Sequence, residues 1–126
     1  MTNKTEIGLR GENLACEFLV RKKYKILKRN YREKFDEIDI IARAINGTLV
    51  FCEVKTLSQK VDFKNVLTPE DNMTKEKIKK IKRSSEMFVG KHQDLIIEKV
   101  GWQIDCIVVV INEEKGSHEL RHYENI

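Results

Sequence analysis

Proline is almost absent from this chain, one in 126 residues, and glycine is scarce at six. With 40% apolar residues beside them, those figures exclude collagen-like, low-complexity and disordered classes. No apolar run approaches the roughly 18–20 residues of a membrane span; the longest is Ile107 to Ile111. The N-terminal stretch Met1 to Glu6 is polar, so a secretory leader is not expected and the chain reads as cytoplasmic and soluble. Cysteine is few and odd in number: Cys16, Cys52 and Cys106 lie far apart, each in an apolar stretch. That pattern suits small buried hydrophobes rather than disulfides or metal ligands. The three histidines, His92, His118 and His122, form no helical ligand pair and read as surface or edge residues.

Charge is what the chain does have. It carries 24 Lys+Arg against 20 Asp+Glu, a net +4. Residues 21–34 hold eight basic residues and one acid, residues 75–83 six and one, and the last fourteen are net acidic. Two basic blocks on a balanced chain suit a polyanion-binding face; charge alone suits still better a solvated helix face plus a lysine-rich turn. The length is that of one domain spanning 1–126, large enough to fold without staples.

Hydrophobic periodicity predicts a first helix over Ile7–Lys23, with Ile7, Gly11, Leu14, Ala15 and Phe18 on one stripe and Glu12 on or beside it. Strands follow over Tyr24–Arg32, Glu37–Ala44 and Thr48–Lys55, with a turn at Asn46-Gly47. Thr56 to Asp71, with Pro69, reads as a long loop. A second helix runs from Thr74 as N-cap to Val89, closed by Gly90, with Ile78, Ile81, Ser85 and Phe88 inward. Ile104–Ile111, apolar on both faces, reads as a central strand, and Glu119–Tyr123 as a short last one. The expected order is α-β-β-β-α-β-β: an α/β mixed sheet flanked by helices, with a parallel crossover through the second helix.

Two otherwise apolar strands contain charge. Glu37 and Asp39 alternate in one, and Glu53 and Lys55 in the other, each pair expected on one face about 6.6 Å apart. Buried carboxylates need compensation. A structural ion pair with Lys55 supplies it. So does a divalent cation held by Asp39, Glu53 and the Val54 carbonyl, with Lys55 beside an attacking water. Hard oxygen ligands suit Mg²⁺, with Mn²⁺ as a substitute, and such an ion acidifies bound water and offsets charge on a phosphodiester. Register decides between dispersed and assembled. A two-residue turn at Asn46-Gly47 sets Asp39 opposite Val54, away from Glu53. A three-residue loop with left-handed Gly47 pairs Ile45 with Leu49 and Asp39 with Lys55.

These residues match a known pattern. Gly8-Leu9-Arg10-Gly11-Glu12 with Ala15, Leu27-Lys28-Arg29-Asn30-Tyr31-Arg32 and Glu37-Ile38-Asp39-Ile40-Ile41-Ala42 occur in order. Leu49 through Thr56, Pro69-Glu70, Lys77, Ile104-Asp105 and Arg121 through Asn125 follow. The chain resembles the YraN-like bacterial proteins, an endonuclease-like group of the PD-(D/E)xK superfamily related to Holliday junction resolvases. The resemblance implies a restriction-endonuclease-like fold and a metal site at Asp39, Glu53 and Lys55, with Glu12 as a further carboxylate. Where that group usually has Gly before the Glu-Ile-Asp segment this chain has Asp36, and where it commonly has Arg after the Glu-Val-Lys-Thr run this chain has Leu57.

The expected function is therefore Mg²⁺-dependent hydrolysis of DNA phosphodiesters, on branched DNA in particular. Lys55, Glu12, Asp39 and Glu53 would form the catalytic set, with Glu37 supporting it. Arg29, Arg32, Lys77 and Lys80 would contact phosphates, and a junction-cutting enzyme implies a homodimer. The alternative, from another class, is a non-catalytic nucleic-acid-binding or scaffold protein on the same fold. Asp105 reads as a structural acceptor, and Tyr31 and Trp102 as packing residues.

Overall fold

A computed structural model describes residues 5–34, 36–58 and 74–126. Helix α1 spans Glu6–Arg21, started by Thr5, whose Oγ1 accepts from the Gly8 amide at 3.0 Å. It ends where Lys23 takes φ 71° and the Tyr24 amide reaches back to the Leu19 carbonyl at 2.9 Å. Strands β1 (Lys25–Glu33), β2 (Asp36–Arg43) and β3 (Leu49–Ser58) follow. Helix α2 spans Lys75–Lys91, then a 3-10 turn at Gln93–Leu95, β4 (Trp102–Asn112) and β5 (Ser117–Tyr123).

The strands form one five-stranded sheet in the order β1-β2-β3-β4-β5. All neighbours are antiparallel except β3 and β4, which run parallel in register from Leu49↔Trp102 to Ser58↔Ile111. The α-β-β-β-α-β-β order is the one expected, with the crossover between the parallel pair running through α2. Each helix buries its stripe against one face. Ala15, Cys16 and Leu19 of α1 pack with Val50, Cys52, Ile107 and Val109. Ile81 and Phe88 of α2 pack with Phe51, Cys106 and Val108 on the other side. Residues 104–111 of β4 are buried throughout, as a strand covered on both faces must be.

Aromatic edges lock the α2 side. Phe88 meets Tyr31 and Phe51 with ring centroids 5.1 and 5.7 Å apart, and Trp102 meets Phe51 at 5.4 Å. Each pair contributes about 0.5–1.5 kcal/mol beyond its buried area. Tyr31 and Trp102 are thus used in packing. All three cysteines are buried and free of disulfides. Among the described residues no helix is long and apolar enough to cross a membrane.

Some boundaries differ from expectation. Gly90 does not close α2: the helix runs on to Lys91, and His92 caps it by donating to the Phe88 carbonyl at 2.9 Å. Ring contact between His92 and Phe88, with centroids 4.3 Å apart, braces those two extra residues. Strand β3 continues to Ser58 rather than stopping at Lys55, because β4 offers parallel partners that far. The remainder of the expected loop, Pro69-Glu70 included, lies outside the described residues.

Candidate metal centre at the parting of two strands

The β2–β3 hairpin sets the site. Its loop has three residues, Ile45 to Gly47, closed by the Ala44 amide donating to the Thr48 carbonyl at 2.9 Å. Gly47 adopts φ +97°, the left-handed conformation that glycine tolerates best. The loop length and the left-handed glycine are those that an assembled site requires. The register is shifted by two residues from the expected one: Arg43 pairs with Leu49 and Ile40 with Cys52, so the ladder ends before Asp39 and does not set it opposite Lys55. The physical reason is the Asn46 side chain, whose Oδ1 accepts from the Thr48 amide at 3.0 Å and draws the turn one residue earlier on each strand.

Pairing stops after Ile40↔Cys52, and there the carboxylate of Asp39 takes over: its Oδ2 accepts from the Val54 amide at 2.8 Å. Asp39 also breaks the pleat. Ile38 packs on the α2 side and Ile40 on the α1 side although they are two residues apart, so strict alternation of Glu37 and Asp39 on one face does not hold. Opposite in β1, Asn30 takes φ 51° at the same level. Asp39 is 6% exposed. Glu53 is half-buried on the α2 face, in register with Cys106. Burial pushes the Cys106 thiol up to about 12, reinforced by the charges of Glu53 and Asp39 and opposed by Lys77.

Helix α1 closes the site from the other side. A Cβ on Gly11 would lie 2.0 Å from Thr56 Oγ1, so only glycine lets the helix sit this tightly on β3. That contact puts Glu12 into the site. Glu12 is 1% exposed, and its Oε1 accepts from Arg29 Nε and Nη2 at 3.1 and 3.0 Å and from Asn30 Nδ2 at 3.0 Å. A cavity of about 240 Å³ is lined by Glu12, Glu53, Val54, Lys55 and Lys77 together. A second of the same volume joins Glu53 to Asp36, Glu37, Lys77 and Lys80.

The structure thus brings Glu12, Glu53, Lys55 and Lys77 around one cavity, with Asp39 bonded to its wall at Val54, and sets Glu37 and Lys80 in the neighbouring one. It separates the basic residues by role. Lys77, on the first turn of α2, faces both cavities. Arg29 is committed to Glu12 and to Asn13 Oδ1 at 2.7 Å, whereas Arg32 is exposed on β1. The hard oxygen donors of Asp39 and Glu53, beside the Val54 backbone, fit a small divalent cation.

Both departures from the family pattern are absorbed locally. Asp36 is held by Arg83, whose Nη2 and Nε donate to Oδ2 at 2.6 and 3.2 Å. Leu57 packs against the α2-side core. Sequence reasoning did miss one cluster. His122 lies on the edge strand β5, as one of the two expected readings had it, but not at the surface: its side chain is 4% exposed, with Nε2 2.6 Å from Oδ2 of fully buried Asp105. The aromatic rings of Phe18 and Tyr24 cover it. No spacing announces this, because Asp105 and His122 meet only through β4–β5 pairing.

Comparison with known proteins places these residues in a family. The model described as Uncharacterised protein family UPF0102 matches residues 11–109, a span containing Glu12, Asp39, Glu53, Lys55 and Lys77. A UPF0102 protein of Lawsonia intracellularis is 36% identical over 123 residues, covering 96% of this chain and 84% of the relative. One from Corynebacterium efficiens is 32% identical over 126 residues, covering 99% and 94%. Another, from Thermotoga neapolitana, is 44% identical over 79 residues, covering 63% and 67%. The chain belongs to the UPF0102 family, the YraN-like proteins.

Proposed function

We propose that this protein is a metal-dependent DNA endonuclease of the PD-(D/E)xK type with a restriction-endonuclease-like fold, acting on branched or otherwise structured DNA in the cytoplasm. The observation that carries the reading is the hydrogen bond from the Val54 amide to Asp39 Oδ2 at 2.8 Å. It fixes one carboxylate at the end of the β2–β3 ladder, against the Val54 backbone beside the cavity lined by Glu53 and Lys55.

Asp39 and Glu53 would hold Mg²⁺ or Mn²⁺. Bound there, the ion lowers the pKa of a water and neutralises charge on the scissile phosphate. Lys55, exposed at the cavity, orients the attacking water and donates to developing charge on the phosphate oxygens. Lys77 holds the neighbouring phosphate as a mobile point charge. Lys80 and Arg32 extend the basic surface along the backbone, and Glu37 supports the lysines beside Glu53.

Glu12 acts on the α1 side of the cavity. Its three hydrogen bonds from Arg29 and Asn30 hold it as an orienting carboxylate. Arg29 contributes to DNA binding by offsetting the charge of that carboxylate beside the phosphate path.

The test is cleavage of linear, flapped and four-way DNA with Mg²⁺ or Mn²⁺, read together with binding and with the mass of the complex. Nicking that needs the ion supports the reading, and two copies per junction support a homodimer. Binding to every substrate without a nick would favour the scaffold alternative.

A further inference from the structure

Cys52, Asp105 and His122 converge beneath α1, on the face of the sheet opposite Glu53. Parallel pairing sets Cys52 beside Asp105, and β5 brings His122 alongside. The Sγ, one carboxylate oxygen and one imidazole nitrogen all lie within 4.8 Å of one another. We propose that these three side chains form a second metal site, for a borderline cation such as Zn²⁺, independent of the hard-oxygen centre at Asp39 and Glu53.

The donor chemistry separates the two sites. One thiolate, one imidazole and one carboxylate suit Zn²⁺, whereas two carboxylates and a carbonyl suit Mg²⁺. Tetrahedral Zn²⁺ spaces such ligand atoms about 3.4–3.6 Å apart, so an adjustment of about 1 Å seats it. His122 Nε2 then leaves its 2.6 Å bond to Asp105 Oδ2, the proton of that bond moves to Nδ1 as the ring changes tautomer and turns Lys22 Nζ away, and both groups bind the ion instead. The thiol proton of Cys52 passes to solvent. Thiolate and carboxylate balance the ion's two charges, so the buried site is neutral.

The surroundings hold the ligands as a metal site requires. Asp105 Oδ1 accepts from Gln103 Nε2 at 2.8 Å and from the Asn125 amide at 2.9 Å, which fixes the carboxylate. Phe18 and Tyr24 fix the imidazole plane. A cavity of about 300 Å³ lies alongside, lined by Lys22, Tyr24 and Gln103, each in contact with His122 or Asp105. It marks the side from which an ion would approach, past residues that touch the ligands rather than the ligands themselves. Lys22 Nζ, 3.5 Å from His122 Nδ1, opposes the cation.

A Cys-His-Asp hydrolase is a different use of the same trio. Burial pushes the Cys52 thiol well above its ordinary range and its side chain is fully enclosed, so it presents no nucleophile.

The test uses the full chain carrying Asp39→Asn and Glu53→Gln, which removes the hard-oxygen centre, titrated with Co²⁺ and then Zn²⁺. The expected result is one equivalent of Co²⁺ with sulfur-to-cobalt charge-transfer absorption, bleached by Zn²⁺. Cys52→Val abolishes the band, His122→Gln weakens binding at least about tenfold, and Lys22→Ala tightens it. Cys16→Ala and Cys106→Ala leave the band intact, which keeps the assignment testable should Cys52→Val not fold. No charge-transfer band with Co²⁺, or a band that survives Cys52→Val and vanishes with Cys16→Ala or Cys106→Ala, overturns the site.

Discussion

Arg29 holds the buried carboxylate of Glu12 through Nε at 3.1 Å and Nη2 at 3.0 Å, joining the edge strand to the first helix at the rim of the candidate metal centre. Glu12 is almost fully enclosed, and the guanidinium is partly open to solvent. Removing the arginine leaves a buried acid with fewer donors, at a cost of about 1–3 kcal/mol. Arg29→Ala is therefore expected to lower the urea midpoint. Arg29→Lys recovers only part of the loss, because an ammonium cannot form the two-pronged contact. An unchanged midpoint in Arg29→Ala would show that the pair does not secure Glu12.

The contact between Gly11 and Thr56 carries the second prediction. A methyl at residue 11 would sit 2.0, 2.6 and 2.8 Å from three Thr56 side-chain atoms, so Gly11→Ala must move α1 away from β3. Overpacking of this kind costs about 1–3 kcal/mol. Thermal unfolding is expected to fall accordingly, and Thr56→Ala, which removes two of the clashing atoms, restores part of it. Full stability in Gly11→Ala alone would contradict the close approach.

That contact also shows what the sequence could and could not say. Helix and strand order follow from periodicity, and Asn46-Gly47 announces a turn, because these are local properties of the chain. The two-residue difference in hairpin register came from one side-chain hydrogen bond, Asn46 to Thr48, which period-two patterning does not encode. The charged pairs Arg29–Glu12 and Arg83–Asp36 join distant segments, so each basic run read as phosphate-binding has one member engaged by a carboxylate of the protein itself. Asp39, Glu53 and Lys55 were legible because acids inside Ile- and Val-rich strands conflict with burial. His122 was not, since its partner lies across a strand pairing.

A pH prediction follows from Glu33. Lys91 Nζ and the Tyr31 hydroxyl donate to it at 2.7 and 2.6 Å, and these bonds hold its pKa below the ordinary 4.5. Its stabilising contribution is complete above 4.5 and is lost as pH falls through the depressed folded value. Tyr31 behaves oppositely. Burial, with the bond to Glu33, pushes it from 10.0 up to about 12, so its contribution holds below 10.0 and disappears as pH rises through about 12. Lys91→Ala is expected to raise the Glu33 pKa toward 4.5 in an NMR titration. An unmoved titration would contradict the pairing.

DNA affinity is expected to fall steeply with salt, since phosphate contacts release counterions. Lys77→Ala and Lys80→Ala should each flatten the plot of log affinity against log salt by about 0.9. Lys79→Ala, away from both cavities, leaves the slope nearer the wild-type value. Equal effects at all three positions would mean that the cavities do not define the phosphate path.

The most direct measurement compares DNA cleavage and DNA binding in Asp39→Asn with the wild type, at fixed Mg²⁺. Asparagine keeps an oxygen to accept from the Val54 amide and removes the charge that would hold the ion. The account predicts that cleavage falls by at least about 100-fold while binding and the unfolding midpoint stay near wild type. Cleavage undiminished in Asp39→Asn, or a wild-type protein that binds junction DNA and never nicks it with either Mg²⁺ or Mn²⁺, would contradict it.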